Sequence, residues 1–307
     1  TGLMSITMYF FSKNQNFITI IPELALYTLV SLRFIPAFNL ISSNFTYLKI
    51  GEASVKIIFS DLEKLKNNLT FQSSKKNKFK KISHSFKDFI LLNNLNYKYP
   101  GKNVNSLNQV SGKILEGEKI VITGKTGSGK TTLMNIMLSF LKPNSGNIYF
   151  KGESIYENTI NWIKKISFVS QSCYILDSSI INNITFNFKD GDIDNEKLKK
   201  AIHLSNLSNF ISTLPKKEKT TVGNNGVQLS GGERQRIAIA RAIYKDSDIL
   251  FMDEFSSALD VITEETILNN LLEEFKKKTI ITISHREHVI KRCDKNFHIE
   301  RGNLKIL

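Results

Sequence analysis

Two cysteines in 307 residues, Cys173 and Cys293, are too few for a disulfide framework or a Cys-rich metal site. They read as reduced cytosolic thiols. Apolar residues are not scarce. A composition of 41% hydrophobic and 23% charged residues is that of a globular protein. It excludes a disordered tail, a collagen-like fibre and a polytopic membrane protein dominated by lipid-facing helices. No internal repeat is visible. The chain lacks an initial Met, and its opening run, GLMSITMYFF, has neither a basic n-region nor a small-residue cleavage site. It does not read as a signal peptide, and the chain is expected to be cut from inside a longer protein. Acid is in short supply too: 28 Asp and Glu stand against 42 Lys and Arg, a net charge of +14.

An excess of that size suggests nucleic acid or a membrane surface, and its location decides between them. Residues 49–87 hold ten lysines against Glu52, Asp61 and Glu63, so half of the net charge sits in one short stretch. Just before it, residues 17–41 are mostly apolar. At about 1.5 Å per residue they reach roughly 37 Å, enough for a bilayer core. An apolar segment followed by lysines is the positive-inside pattern of a helix entering the cytoplasm. Pro22, Glu23, Arg33, Pro36 and Asn39 interrupt the span, and the residues at 12–16 read as a polar turn before it. Beyond it, the apolar positions 48, 55, 58, 62, 65 and 69 fall at helical spacing, which predicts a helix continuing into the cytoplasm. KKNKFKK (75–81) reads as a basic linker.

From about Asp88 short apolar strands alternate with helical segments, which argues for an α/β domain with a largely parallel core sheet. GKTGSGKT (124–131) fits G-x-x-x-x-G-K-[ST] between the strand KIVIT and a helical pattern. That is the context of a P-loop. Gly124, Gly127 and Gly129 let the backbone turn its N–H groups toward phosphate. Thr126, Ser128 and Thr132 complete the nucleotide-contacting set. Lys130 reaches the β- and γ-phosphates, and the Thr131 hydroxyl ligates Mg²⁺. The apolar run 249–252 ends in Asp253, expected to hold Mg²⁺, and Glu254, expected to orient and deprotonate water.

LSGGERQR (229–236), ending 17 residues before Asp253, resembles the signature motif of ATP-binding cassette (ABC) proteins. In that family Ser230, Gly231 and Gly232 form a second phosphate-binding helix N-terminus, applied to the ATP of a partner cassette. The resemblance therefore implies a head-to-tail dimer with two composite ATP sites. Tyr99 matches the aromatic that stacks on adenine. Gln171 matches the Q-loop glutamine at Mg²⁺, SALD (257–260) the D-loop, and His285 the switch histidine at the γ-phosphate. His84, His203, His288 and His298 match nothing and read as structural or surface residues. Asn224 stands where the exporter loop before the signature usually carries an acid. Phe255 replaces a smaller residue behind the catalytic acid, with ATPase activity expected to survive.

The resemblance covers about residues 88–307. It implies a P-loop NTPase fold: a mixed core sheet with helices, an antiparallel β subdomain and an α-helical signature subdomain, preceded by a transmembrane helix. The expected organisation is 1–70 as the end of a membrane domain, 71–87 as linker and 88–307 as nucleotide-binding domain. This is similar to an exporter-type half-transporter in a membrane (the cytoplasmic membrane, if bacterial), with its cassette in the cytoplasm. Residues 25–41 resemble the lipid-linked oligosaccharide flippases of that group around Arg33 and Pro36. Arg33 either pairs with a phosphate of such a cargo or snorkels to the interface. A soluble ABC ATPase acting on DNA or the ribosome would account for the charge but not for residues 17–41. No nucleic-acid partner is expected. An importer ATPase is disfavoured because its cassette is normally a separate chain.

Overall fold

The computed structural model describes residues 8–9, 17–74, 89–187, 193–223 and 226–307; the expected turn at 12–16, the linker at 75–81, His84 and Asn224 lie outside them. The chain divides into two compact units, Thr1–Lys80 and Lys81–Leu307.

The first unit is built on α1 (Phe17–Ser74), a single helix of 58 residues that continues through Pro22 and Pro36. Each proline removes one backbone donor, a loss that helices in apolar surroundings tolerate. Within its segment Ala25–Glu63 a stretch of 18 residues reaches a mean hydropathy of 1.4 with none of that stretch buried, and the segment is long and apolar enough to cross a membrane. Phe34 and Phe38 are each 70% exposed. The hydroxyls of Ser43, Thr46 and Ser60 donate back to the carbonyls of Leu40, Ser42 and Ile57 at 2.8–2.9 Å. They need no water, as suits an apolar setting. The predicted stripe positions Leu48, Val55, Ile58 and Leu62 are exposed along the helix.

The second unit has two main sheets. Strands β1 (Ile90–Tyr97), β2 (Leu107–Ile114), β4 (Ser145–Phe150) and β5 (Glu153–Ser154) form an antiparallel sheet in the order β2-β1-β4-β5. The core sheet is formed by β3 (Lys119–Thr123), β6 (Ile166–Val169), β9 (Ile249–Asp253), β10 (Thr279–Ile283), β11 (Lys295–Glu300) and β12 (Asn303–Ile306). Its order is β12-β11-β3-β10-β9-β6. It is parallel except for β12, which pairs antiparallel with β11. A small ladder joins β7 (Ser178–Ser179) to β8 (Thr221–Val222). The helices are α2 (Lys130–Met137), α3 (Thr159–Lys165), α4 (Ile180–Thr185), α5 (Asn195–Leu204), α6 (Ser208–Thr213), α7 (Gly231–Lys245), α8 (Val261–Glu274) and α9 (Glu287–Ile290).

Strand β9 shows why its sequence is an unbroken apolar run. Ile249 and Phe251 point into one core, with β1, β2 and α2, while Leu250 and Met252 point into a second, with α7 and α8. A strand buried on both faces has no polar position to alternate with. Phe255, the predicted departure behind Glu254, is 1% exposed and packs in the second core.

Lys119 anchors the start of β3. Its ammonium donates to the carbonyls of Gly117 at 2.6 Å and of Phe275, Lys276 and Lys278 at 3.0 Å, gathering the end of α8 onto the strand. Burial pushes its pKa down, opposed by the nearby Asp294 carboxylate. The Cys293 thiol is pushed up to about 12, chiefly by burial, and Cys173 is raised for the same reason. Both are therefore poor thiolates.

Candidate nucleotide site

The site gathers at the C-terminal ends of the parallel strands. Strand β3 ends at Thr123, the loop 124–129 turns back, and α2 begins at Lys130. Gly124 has φ 140°, and a Cβ there would lie 2.2 Å from the Ile299 carbonyl oxygen. Gly129 has φ 113°, and its Cβ would lie 2.5 Å from the Ser106 carbonyl oxygen. Any side chain would break the loop at either point. Lys130 is buried, and its Nζ donates to the carbonyls of Gly124 at 2.9 Å and Lys125 at 3.0 Å. The buried Ser128 Oγ has no hydrogen-bond partner among the described residues. A buried hydroxyl at a helix N-terminus, within a loop only glycine can form, fits a phosphate group.

Thr131 is exposed at the start of α2, and Thr126 and Gly127 are exposed on the loop. Thr132 is buried, its Oγ1 lying 3.3 Å from the Tyr99 hydroxyl. Tyr99, half-buried just past β1, also packs edge-on against Tyr97, with centroids 4.9 Å apart. The sequence-predicted adenine platform is thus tied to the helix that follows the P-loop.

Asp253 closes β9 between β6 and β10. Burial and the neighbouring Glu254 charge raise its pKa, with Lys130 acting in the opposite sense. A carboxylate placed so unfavourably for its own charge suits a cation. Glu254 then takes φ 44°, a left-handed conformation uncommon outside glycine and held here by its N–H donating to the Ile283 carbonyl at 3.1 Å. Gln171 Nε2 donates to Glu254 Oε2 at 2.7 Å. His285 Nε2 stands 3.9 Å from Glu254 Oε1. Two of the predicted residues, Gln171 and His285, therefore converge on the carboxylate of a third, Glu254.

The signature residues form a separate group. Ser230 caps α7 in a reciprocal box: its Oγ accepts from the Glu233 N–H at 3.3 Å, and Glu233 Oε2 accepts from the Ser230 N–H at 2.7 Å. A Cβ on Gly231 would meet Ala258 Cβ at 3.3 Å, and one on Gly232 would meet the Ala258 carbonyl oxygen at 3.1 Å. The loop 256–260 thus packs beneath the signature glycines. No described hydrogen bond or ion pair joins Ser230, Gly231 or Gly232 to the P-loop.

Two histidines that the sequence left as structural or surface residues have partners distant in the chain. His298 lines an open depression with Lys125, Thr126 and His285, and its Nδ1 lies 2.9 Å from Thr123 Oγ1. His288 Nε2 lies 3.2 Å from the fully buried Glu264. Their neighbours come from other strands and helices, so no local pattern marked them.

Residues 107–257 match the ABC transporter family. The chain is 38% identical over 203 residues to an ATP-dependent lipid A-core flippase of Paraburkholderia xenovorans, covering 66% of this chain and 34% of that protein. It is 33% identical over 257 residues to the flippase of the same name from Photorhabdus laumondii, covering 83% of this chain and 42% of that protein. The structure of a bacterial Atm1-family ABC exporter with ATP bound superposes with a TM-score of 0.66 at 30% identity, covering 71% of this chain and 38% of that one. The chain spans about a third to two fifths of the length of these curated relatives. With the motifs in one cassette and the match running across them, the chain belongs to the ABC transporter family and carries its ATP-binding domain.

Proposed function

We propose that residues 88–307 bind and hydrolyse MgATP as the nucleotide-binding domain of an exporter half-transporter, with residues 1–70 as the end of its membrane domain and 71–87 as linker. The observation that carries this reading is the convergence of Gln171 and His285 on Glu254 beside the P-loop. Thr131, Gln171 and Asp253 are the residues that would hold Mg²⁺, which when bound neutralises charge on the transferring phosphoryl group. Lys130 releases its loop carbonyls to pair with β- and γ-phosphate oxygens. Tyr99 stacks on adenine. Glu254 accepts a proton from the attacking water as its oxygen bonds to the γ-phosphorus and the bond to the bridging oxygen breaks. Gln171 fixes the direction of that carboxylate, and His285 donates to the γ-phosphate. Ser230, Gly231 and Gly232 complete the site of a second cassette, so the working unit is a dimer, of identical or paired half-transporters.

Residues 17–41 anchor the chain in a membrane with the cassette on the cytoplasmic side. The cargo is a lipid-linked glycan or a related amphipath; the relatives named as lipid A-core flippases and the placement of Arg33 in the apolar stretch favour that class. The decisive experiment is Lys130→Ala in the whole chain in detergent, followed by ATP binding and phosphate release. Loss of binding or turnover is expected, and full activity would overturn the assignment.

A further inference from the structure

The mechanism above leaves one buried charged cluster unused. Glu264, in the first turn of α8, has a fully buried side chain. Its Oε2 is ion-paired with Arg286 Nη1, and its Oε1 lies 3.2 Å from His288 Nε2. Neither oxygen makes a well-directed hydrogen bond among the described residues, so charge holds the carboxylate in place. Stripped of its cationic partner, such a group would be costly to bury. Arg286 also has a second attachment: its Nη2 donates to the Ser256 carbonyl at 3.1 Å. Its backbone N–H donates to Ser284 Oγ at 3.1 Å, fixing the turn that presents His285.

One side chain thereby ties the loop of His285 to the loop 256–260, and both to α8. The far end of that loop is also fixed: Asp260 caps α8, its Oδ1 accepting from the Thr263 N–H at 2.9 Å. Between the two anchors lies Ala258, against the signature glycines. Guanidinium suits this task because its planar fork serves two acceptors at once, which an ammonium on a flexible stem does less well.

We propose that Glu264 and Arg286 are positioning residues: a buried strut that makes the His285 loop and the 256–260 loop one body. Through it, His285 in this cassette's own site and Gly231–Gly232, which serve the partner's site, shift together. The consequence for catalysis rests on the composite-site reading above; the mechanical tie does not.

The test uses the whole chain in detergent, with Glu264→Gln and Arg286→Lys. Hydrogen exchange should quicken by about tenfold in both 256–260 and 284–290, while α2 keeps its protection. ATPase kcat should fall by about tenfold with KM for ATP within about threefold, because the P-loop contacts are untouched. Arg286→Lys keeps a charge for Glu264 and loses the fork, so it remains decisive if Glu264→Gln does not fold. Quickening in only one loop, or to an equal degree throughout the cassette, would overturn the strut. So would unchanged exchange in both loops. Absence of ATPase in the wild-type chain, with the two loops still loosening together in the variants, would strike down the functional reading and leave the strut standing.

Discussion

Gln171 and Glu254 are 83 positions apart in the chain and share a hydrogen bond of 2.7 Å. The bond exists because β6 and β9 are parallel neighbours whose C-terminal ends lie side by side. It directs one oxygen of Glu254, while His285 stands near the other. Glu254→Gln keeps the shape and removes the proposed base. Turnover should fall by about 10²–10⁴-fold, with ATP affinity nearly unchanged. Phosphate release and equilibrium nucleotide binding on the same preparation check both halves.

In its proposed role as a Mg²⁺ ligand, Asp253 carries a charge that burial disfavours. Its pKa is raised in the folded state, mainly by burial and then by Glu254. The sign follows from linkage: stability associated with the protonated carboxyl is present at low pH and is lost as pH rises through the folded pKa. Asp253→Asn cannot ionise. It should therefore raise Tm over wild type at neutral pH, and the gain should shrink as pH falls through the carboxylate range. Mg²⁺-dependent turnover should be lost in the same protein. Thermal melts at several pH values without nucleotide provide the measurement, and a wild-type advantage at neutral pH would contradict it.

Ser230 caps α7 and, in the composite-site reading, also faces the partner's nucleotide. In a Glu254→Gln background, ATP should hold the chain as a long-lived dimer by size exclusion in detergent. Adding Ser230→Arg should abolish that dimer while its own P-loop still binds ATP. Loss of a cap costs only about 1 kcal/mol, so the cassette should remain folded. Ser230→Asn keeps a capping oxygen and should dimerise better than Ser230→Arg.

The exposed apolar surface of α1 calls for lipid or other membrane helices. The whole chain, expressed in cells, should sediment with membranes and resist extraction by alkaline carbonate. A charged substitution at Phe34 or Phe38, each 70% exposed, should weaken that retention. Release of the unaltered chain by carbonate would count against a spanning helix.

The P-loop was legible because its chemistry is local: glycines, Lys130 and Thr131 lie within one short turn, and the strand before it and helix after it carry their own periodicity. The strand-end acids and the signature were legible for the same reason. The left-handed turn at Glu254 and the reciprocal cap at Ser230 gave the local patterns their shape. Pro22 and Pro36, expected from the sequence to interrupt the span, lie inside one continuous helix. A proline costs one hydrogen bond, less than a continuous apolar segment gains from staying helical.

Sequence by itself determined the local patterns on which the proposed chemistry rests, since phosphate recognition and strand burial each demand particular residue types at fixed short spacings. Tertiary structure alone decided which of them meet. The sheet order β3-β10-β9-β6 brings the ends carrying Lys130, His285, Glu254 and Gln171 together, though the chain visits them in a different order. It also decided that Glu264, Arg286 and His288 share a buried cluster. Burial turns an ordinary surface charge into one that must have a partner, and burial is a property of packing that no spacing along the chain encodes.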